Sequence, residues 1–262
     1  AETYHGRANP GALPMTKSRA VDADHYWIAA RFERREGWDP KAYPFSLPVV
    51  RSLHELVFHP KVTFLVGENG AGKSTLIEAL AVAWGFNAEG GSKNFNFGTR
   101  SSHSVLHDFV RPVRSAKRAR DGFFLRAESH FNVSTQIDEL GAVNAYGGVS
   151  LHEQSHGESF FALIDHRFRG EGLYILDEPE AALSPNRQLS FLARMHELIG
   201  RNSQFIIATH SPIILGYPEA WIYEATARGL DRVEYEDTEH FQITRSFLNR
   251  RQTFLETLLA DD

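Results

Sequence analysis

The 262-residue sequence contains no cysteine and only two methionines. Without thiols there can be no disulfide framework and no thiolate metal site, which suits a reducing compartment and makes the cytoplasm the expected location. Long hydrophobic runs are missing too, and nothing approaches the roughly 18 apolar residues that a membrane helix requires. Nor is there an excess of positive charge. The formal net charge is −5, so no general attraction draws the chain to nucleic acid or anionic lipid. Residues 1–24 lack the basic start and apolar middle of a secretory signal and are expected to form a mobile tail. Internal repeats and coiled-coil heptads are absent. With 42% hydrophobic and 23% charged residues, what remains has the make-up of a soluble globular domain, expected over residues 25–262.

The chain is organised around Val62–Trp84. Val62-Thr63-Phe64-Leu65-Val66 is short, apolar and rich in strand formers, as a buried strand requires. Gly67-Glu68-Asn69-Gly70-Ala71-Gly72-Lys73-Ser74 then fits G-x-x-x-x-G-K-[ST], and a helical pattern with Leu76, Ile77, Leu80 and Trp84 on one face runs to Gly85. Glycines let such a loop wrap so that its N–H groups converge on phosphate oxygens, and the following helix adds its positive dipole end. Lys73 is placed to reach the β- and γ-phosphates, and the Ser74 hydroxyl to ligate Mg²⁺. Residues Gly67 to Thr75 are therefore the expected nucleotide-binding set, with ATP and Mg²⁺ as ligands.

Two further strands end in chemistry. Leu173-Tyr174-Ile175-Leu176 delivers Asp177 and Glu178 at its C-terminal end, where α/β sheets bind ligands. Asp177 is expected to hold Mg²⁺ through its water shell and Glu178 to orient or deprotonate the attacking water. Phe205-Ile206-Ile207-Ala208-Thr209 ends in His210, placed to donate to the γ-phosphate and sense its presence. Between these strands Ser184-Pro185 reads as a helix start, and Leu189, Leu192, Met195 and Ile199 as its core face.

A phosphate loop, then Ser155-His156-Gly157-Glu158, then Leu176-Asp177-Glu178-Pro179, then a strand ending Thr209-His210 is the order found in ABC-type ATPases. The chain resembles them over residues 62–215, and from about Tyr26 onward it resembles stand-alone bacterial predicted ATPases. Gln154–Glu158 stands where that superfamily carries its signature. Ser155 and Gly157 match, while Gln154, His156 and Glu158 depart from the usual Leu, Gly and Gln. The acidic Glu158 brings the chain nearer the SMC- and RecF-like branch than transporter subunits. Ala182-Leu183-Ser184 falls at the D-loop. The resemblance implies that Ser155, Gly157 and Glu158 close over the γ-phosphate held by a second copy, hence a head-to-tail homodimer with ATP bound. It also calls for a glutamine after the strand Phe123–Arg126. Ala127-Glu128-Ser129 stands there, so Glu128 is taken as a metal or water contact, with Gln136 the other candidate. Phe32 and Tyr43 are candidates for stacking on adenine.

The expected fold is α/β of the P-loop NTPase class, an ABC-ATPase-like, mostly parallel sheet flanked by helices. Core lobes at about 25–84 and 171–262 would enclose a small, partly helical lobe at 85–170. A first strand is expected at Tyr26–Phe32, strand or short helix at 49–58, a strand at Gly122–Ala127 and a helix at Ser159–Phe168. Edge strands are expected at Ala220–Glu224 and Arg232–Tyr235, and a closing helix at Phe241–Leu259. Arg111, Arg114, Lys117, Arg118 and Arg120 would suit nucleic acid or an acidic partner. Without interleaved aromatics, a solvated loop or helix face is the plainer expectation. His152-Glu153-Gln154-Ser155-His156 fits H-E-x-x-H, but Gly147-Gly148 and Gly157 bracket it and deny it the helix a zinc site needs. His103 and His107 have helical spacing but no third ligand.

ATP hydrolysis is the expected activity. Two alternatives remain. One is an ATP-binding switch with negligible turnover that controls assembly with a protein partner, in nucleic-acid maintenance or defence. The other is a P-loop kinase acting on a small acceptor.

Overall fold

The computed structural model describes residues 25–92, 104–126 and 156–260. Within these, strands β1 (Trp27–Phe32), β2 (Glu55–Val57) and β4 (Val110–Arg114) form a small antiparallel sheet in the order β2-β1-β4. The larger sheet has six strands: β3 (Val62–Gly67), β5 (Asp121–Arg126), β6 (Gly172–Asp177), β7 (Gln204–Ala208), β8 (Trp221–Thr226) and β9 (Gly229–Val233). Their order is β5-β6-β7-β3-β8-β9, and every neighbouring pair is parallel except β8 with β9.

The helices are α1 (Pro48–Arg51), α2 (Lys73–Trp84), α3 (His156–Arg167), α4 (Pro185–Gly200), α5 (Pro212–Leu215), α6 (Glu239–Asn249) and α7 (Arg251–Leu258). Strands β3, β6 and β7 are buried along their whole length, which is why each reads as a mostly apolar run. Alternate residues feed two cores. Leu65, Ile175, Ile206 and Ala208 pack with α2 and the antiparallel sheet, while Phe64, Leu176, Phe205 and Ile207 pack with α3 and α4. Asp121 and Arg126, at the two ends of β5, and all of β4 lie within the 85–170 region, so that region supplies strands to both sheets.

A buried amide joins the sheets. Gln204, fully buried at the start of β7, accepts from the Tyr26 and Trp27 amides (3.1 and 2.9 Å) and donates to the Trp27 and His59 carbonyls (2.9 and 3.0 Å). All four of its bonding positions are filled. Trp27 also stacks on Trp84 of α2, with ring centroids 5.1 Å apart.

Several expectations need correction. The 49–58 stretch is both alternatives, with α1 followed by β2. Leu189 is 56% exposed, and the buried stripe of α4 is Phe191, Met195 and Leu198. At 100° per residue, Leu189 lies about 200° from Phe191 and so faces solvent. Helix α3 begins at His156 rather than Ser159, which puts Gly157 and Glu158 in its first turn. Ser184 occupies the N-cap of α4, but its side chain makes no capping bond. β8 is interior, held between β3 and β9. The closing helix is two helices, α6 and α7, broken at Arg250 (φ −134°, ψ 39°).

The basic cluster is neither loop nor helix face at its start. Arg111, Pro112 and Arg114 lie on β4, and four of the five basic side chains contact partners within the chain. Arg111 meets Glu33 at 2.6 Å, and Arg114 lies over the Trp84 ring at 4.3 Å. Lys117 lies over Tyr26 at 5.0 Å, and Arg120 pairs with Glu171 at 2.9 Å.

Candidate functional site

Because β3, β6 and β7 run parallel and adjacent, their C-terminal ends open on one edge. That edge receives the glycine loop, then Asp177 with Glu178, then Thr209 with His210. At the end of β3, Gly67 has φ 145° and lies against β8, where a Cβ would stand 2.7 Å from the Ala225 carbonyl oxygen. Gly72, at φ 97°, caps α2 in the left-handed conformation that glycine adopts without penalty. Glu68, Asn69 and Gly70 form the exposed tip of the loop, with Ala71 half-buried.

Lys73 is 4% exposed. Its ammonium donates to the Gly67 and Glu68 carbonyls at 2.7 and 2.9 Å. Burial lowers its pKa, and the carboxylates of Glu178, Asp177 and Glu180 oppose that shift. Ser74 Oγ donates to Asp177 Oδ1 at 3.3 Å. Thr75 Oγ1 is 3.2 Å from the hydroxyl of Tyr43, whose ring is exposed. Phe32, the other aromatic candidate, is buried in the core.

Glu178 has φ 52° and ψ 54°, a left-handed conformation that costs a residue with a Cβ about 1–2 kcal/mol. Such strain clusters at functional positions. Its amide donates to the Ala208 carbonyl at 2.9 Å, and its Oε1 lies 3.3 Å from His210 Nε2. The His210 amide donates to Glu180 Oε1. Burial holds the Glu180 carboxyl above its ordinary pKa. Burial and the Lys73 charge lower the His210 pKa, against the opposing pull of Glu178, so the ring is held neutral.

Four site residues went unread in the sequence. Arg126 ends β5 in direct register with Asp177, with Nε 3.6 Å from Asp177 Oδ2 and Nη1 2.7 Å from Glu78 of α2. A charged residue closing the apolar run Phe123-Phe124-Leu125 was the available signal. Glu180 and Glu78 carried none beyond their charge. His240 of α6 places Nε2 3.0 Å from His210 Nδ1 and was read only as part of a closing helix.

Gly157 and Glu158 stand at the start of α3 against the beginning of α4. A Cβ on Gly157 would meet Arg187 and the Ala182 carbonyl, and Glu158 is 3.6 Å from Arg187. Ser155, Glu128 and Gln136 lie outside the described residues, as does the H-E-x-x-H stretch apart from the backbone of His156. His103 is also outside them, while His107 bonds to the Ser104 carbonyl at 2.9 Å.

The donor set fits the expected ion. Among the described residues no three or more His, Asp or Glu side chains gather into a self-sufficient metal site. Ser74 and Asp177 instead offer two hard oxygens, the small protein share that Mg²⁺ takes when phosphates and water complete its octahedron. No helix among the described residues is long and apolar enough to cross a membrane.

Two family models match the sequence. One, described as an AAA domain, covers residues 47–145. The other, described as an AAA domain, putative AbiEii toxin, Type IV TA system, covers residues 110–216. A search of curated proteins returns no match. Among solved structures, the SMC head domain from Thermotoga maritima is similar at 18% identity and a TM-score of 0.40, over 69% of this chain and 93% of that one. A putative metal-chelate type ABC transporter in an inward-facing conformation gives 16% identity and a TM-score of 0.47, over 84% and 88%. The cbiO1 component of the Clostridium perfringens ABC transporter complex cbiONQ gives 17% and 0.46, over 90% and 99%. With the strand–glycine loop–helix unit inside the first match and the two carboxylate- and imidazole-bearing strand ends inside the second, the chain is similar over these stretches to P-loop domains of the AAA type.

Proposed function

We propose that residues 25–262 act as one ATPase domain, which binds ATP with Mg²⁺ and hydrolyses it to ADP and phosphate between two head-to-tail copies. One observation carries this reading. At the ends of three adjacent parallel strands, Lys73, the Ser74–Asp177 contact and the Glu178–His210 pair converge on one edge.

The loop amides of Gly67–Thr75 and the start of α2 receive the phosphate chain. Lys73 exchanges its two carbonyl partners for β- and γ-phosphate oxygens, which costs no new desolvation because the ammonium is already buried. Ser74 and Asp177 hold Mg²⁺, which when bound neutralises phosphate charge. Glu178 orients the attacking water and takes its proton, and His210 donates to the terminal phosphate. Tyr43, exposed beside Thr75, is the better placed of the two aromatics for stacking on the base.

Ser155, Gly157 and Glu158 are assigned to the partner's nucleotide, and Glu128 to a metal or water contact. The support is the order of motifs and the place of Gly157 and Glu158 in the first turn of α3. The cytoplasm is the proposed compartment. The internally engaged basic cluster gives no support to a nucleic-acid surface on β4.

Glu178→Gln tests the reading. The variant should bind ATP–Mg²⁺ as the native chain does, lose turnover by about 10²-fold or more, and accumulate as an ATP-held dimer in light scattering. Native-like phosphate release by this variant would remove Glu178 from its role. Native protein that binds and dimerises without steady phosphate release would be a switch rather than an enzyme.

A further inference from the structure

His240 stands in the second residue of α6, and that position is closely fixed. Buried Thr238 caps the helix, donating to the Tyr235 carbonyl at 2.8 Å and accepting from the Phe241 amide at 3.4 Å. The Glu239 amide is held by Glu224 Oε1 of β8 at 2.9 Å. From there the His240 ring crosses to the site, with Nε2 3.0 Å from His210 Nδ1.

Two neutral imidazoles whose nitrogens face each other at this distance share one proton, so one donates and the other accepts. The surroundings decide which. On its far side, His210 Nε2 has the Glu178 carboxylate oxygen at 3.3 Å. A bare Nε2 would set lone pair against lone pair there, whereas Nε2–H points a donor at an anion. The other end of the pair offers less. His210 Nε2 and His240 Nδ1 are both buried without a hydrogen bond, but only His210 Nε2 has a carboxylate oxygen beside it. Were His240 the acceptor at Nε2, its proton would sit on Nδ1 as a buried donor without partner, the kind of group that folded proteins rarely keep. With the proton on Nε2 instead, Nδ1 is merely an unused acceptor. The comparison selects one arrangement, with His240 Nε2–H donating to His210 Nδ1 and His210 Nε2–H directed at Glu178.

We propose that His240 is a positioning residue: its Nε2–H fixes His210 in the Nε2–H tautomer and so ties the nucleotide site to the C-terminal helix α6. The inference rests on the reading of His210 as a donor to the terminal phosphate. Only the Nε2–H tautomer can make that donation from the nitrogen facing Glu178. A displacement of α6 would release the ring to its other tautomer, whose Nε2 repels phosphate oxygen.

The test begins with nucleotide-free full-length chain labelled with ¹⁵N, near neutral pH. Long-range ¹H–¹⁵N correlation should show His210 protonated at Nε2 and bare at Nδ1. In His240→Leu that pattern should become a mixture of tautomers. His240→Gln, whose amide donates to the same nitrogen, should preserve it and confirm that the fold tolerates change here. Turnover at saturating ATP should fall about tenfold or more in the Leu variant, since a wrong histidine tautomer is costly to catalysis. The Gln variant should recover most of it, and ATP affinity should stay unchanged in both. A native His210 protonated at Nδ1, a tautomer indifferent to His240→Leu, or native turnover in a tautomer-mixed variant would each overturn the proposal. His210→Ala with undiminished turnover would instead sink the phosphate-donor role of His210, leaving the tautomer result standing by itself.

Discussion

Ser74 Oγ and Asp177 Oδ1, 103 positions apart in the chain, stand 3.3 Å from each other at the ends of two parallel strand–turn units. The hydroxyl donates to the carboxylate, which brings together the two hard oxygens proposed to hold Mg²⁺. Arg126, 3.6 Å from the other oxygen of Asp177, supplies a positive charge on its far side.

The first prediction follows from that pair. Removing Mg²⁺ with EDTA should weaken ATP binding by the native chain about tenfold or more, because the proposed site shares the ion between phosphates and two protein oxygens. Asp177→Asn should bind ATP about as weakly with Mg²⁺ as without it, and its affinity in EDTA should match that of the native chain. Titration with a fluorescent ATP analogue measures all four values. A full Mg²⁺ response in Asp177→Asn would place the ion elsewhere.

The parts of this site that were legible are those written in local physics. Gly67 to Ser74 declares itself because its backbone conformations demand glycine at set positions, and β3, β6 and β7 because burial on both faces makes them mostly apolar. What stayed hidden depends on register and packing. Arg126 acquires meaning only when β5 pairs with β6 so that it falls opposite Asp177, and Asp177 is 51 positions further along the chain. His240 looked like one polar residue in a closing helix until α6 docked against β8 and carried it to His210. Leu189 misled for the opposite reason. Its spacing to Leu192 is helical, but the stripe that packs is set by the sheet beneath α4, which chose Phe191.

A second prediction concerns pH. Burial lowers the pKa of His59 to about 4, assisted by the nearby charges of His25, Lys61 and Arg232 and opposed by Glu219. Its Nδ1 accepts the Lys61 and Val62 amides, both at 3.2 Å, which holds the ring neutral. The unfolded chain takes up this proton near pH 6.5. Between that value and about 4 it therefore binds more protons than the folded chain, and stability is lost as pH falls through this window. His210 and His240, whose pKa values are also lowered, act in the same direction. Thermal melts from pH 7 to pH 5 should show the decline. His59→Asn, which keeps an acceptor for the two amides and does not titrate, should change stability at pH 7 by only about 1 kcal/mol or less and flatten the slope. An unchanged slope would mean that the acid sensitivity arises elsewhere.

The third prediction tests what holds the two sheets together. In Gln204→Leu the side chain keeps roughly its volume and loses every polar atom, leaving the Tyr26 and Trp27 amides and the Trp27 and His59 carbonyls facing an apolar group. Each buried group left unsatisfied costs about 1–3 kcal/mol, although losses this close together do not simply add, so a total of roughly 2–4 kcal/mol is expected. Urea unfolding gives that figure. Hydrogen exchange gives its location, because the Tyr26 and Trp27 amides should exchange faster than those of β6 and β7 if the antiparallel sheet detaches first. Trp27 still stacks on Trp84 in the variant, so apolar packing and polar bridging make separate contributions. Stability within about 1 kcal/mol of the native chain, with Tyr26 and Trp27 still protected, would show that the aromatic stack suffices and that the four bonds of Gln204 merely satisfy groups already held in place.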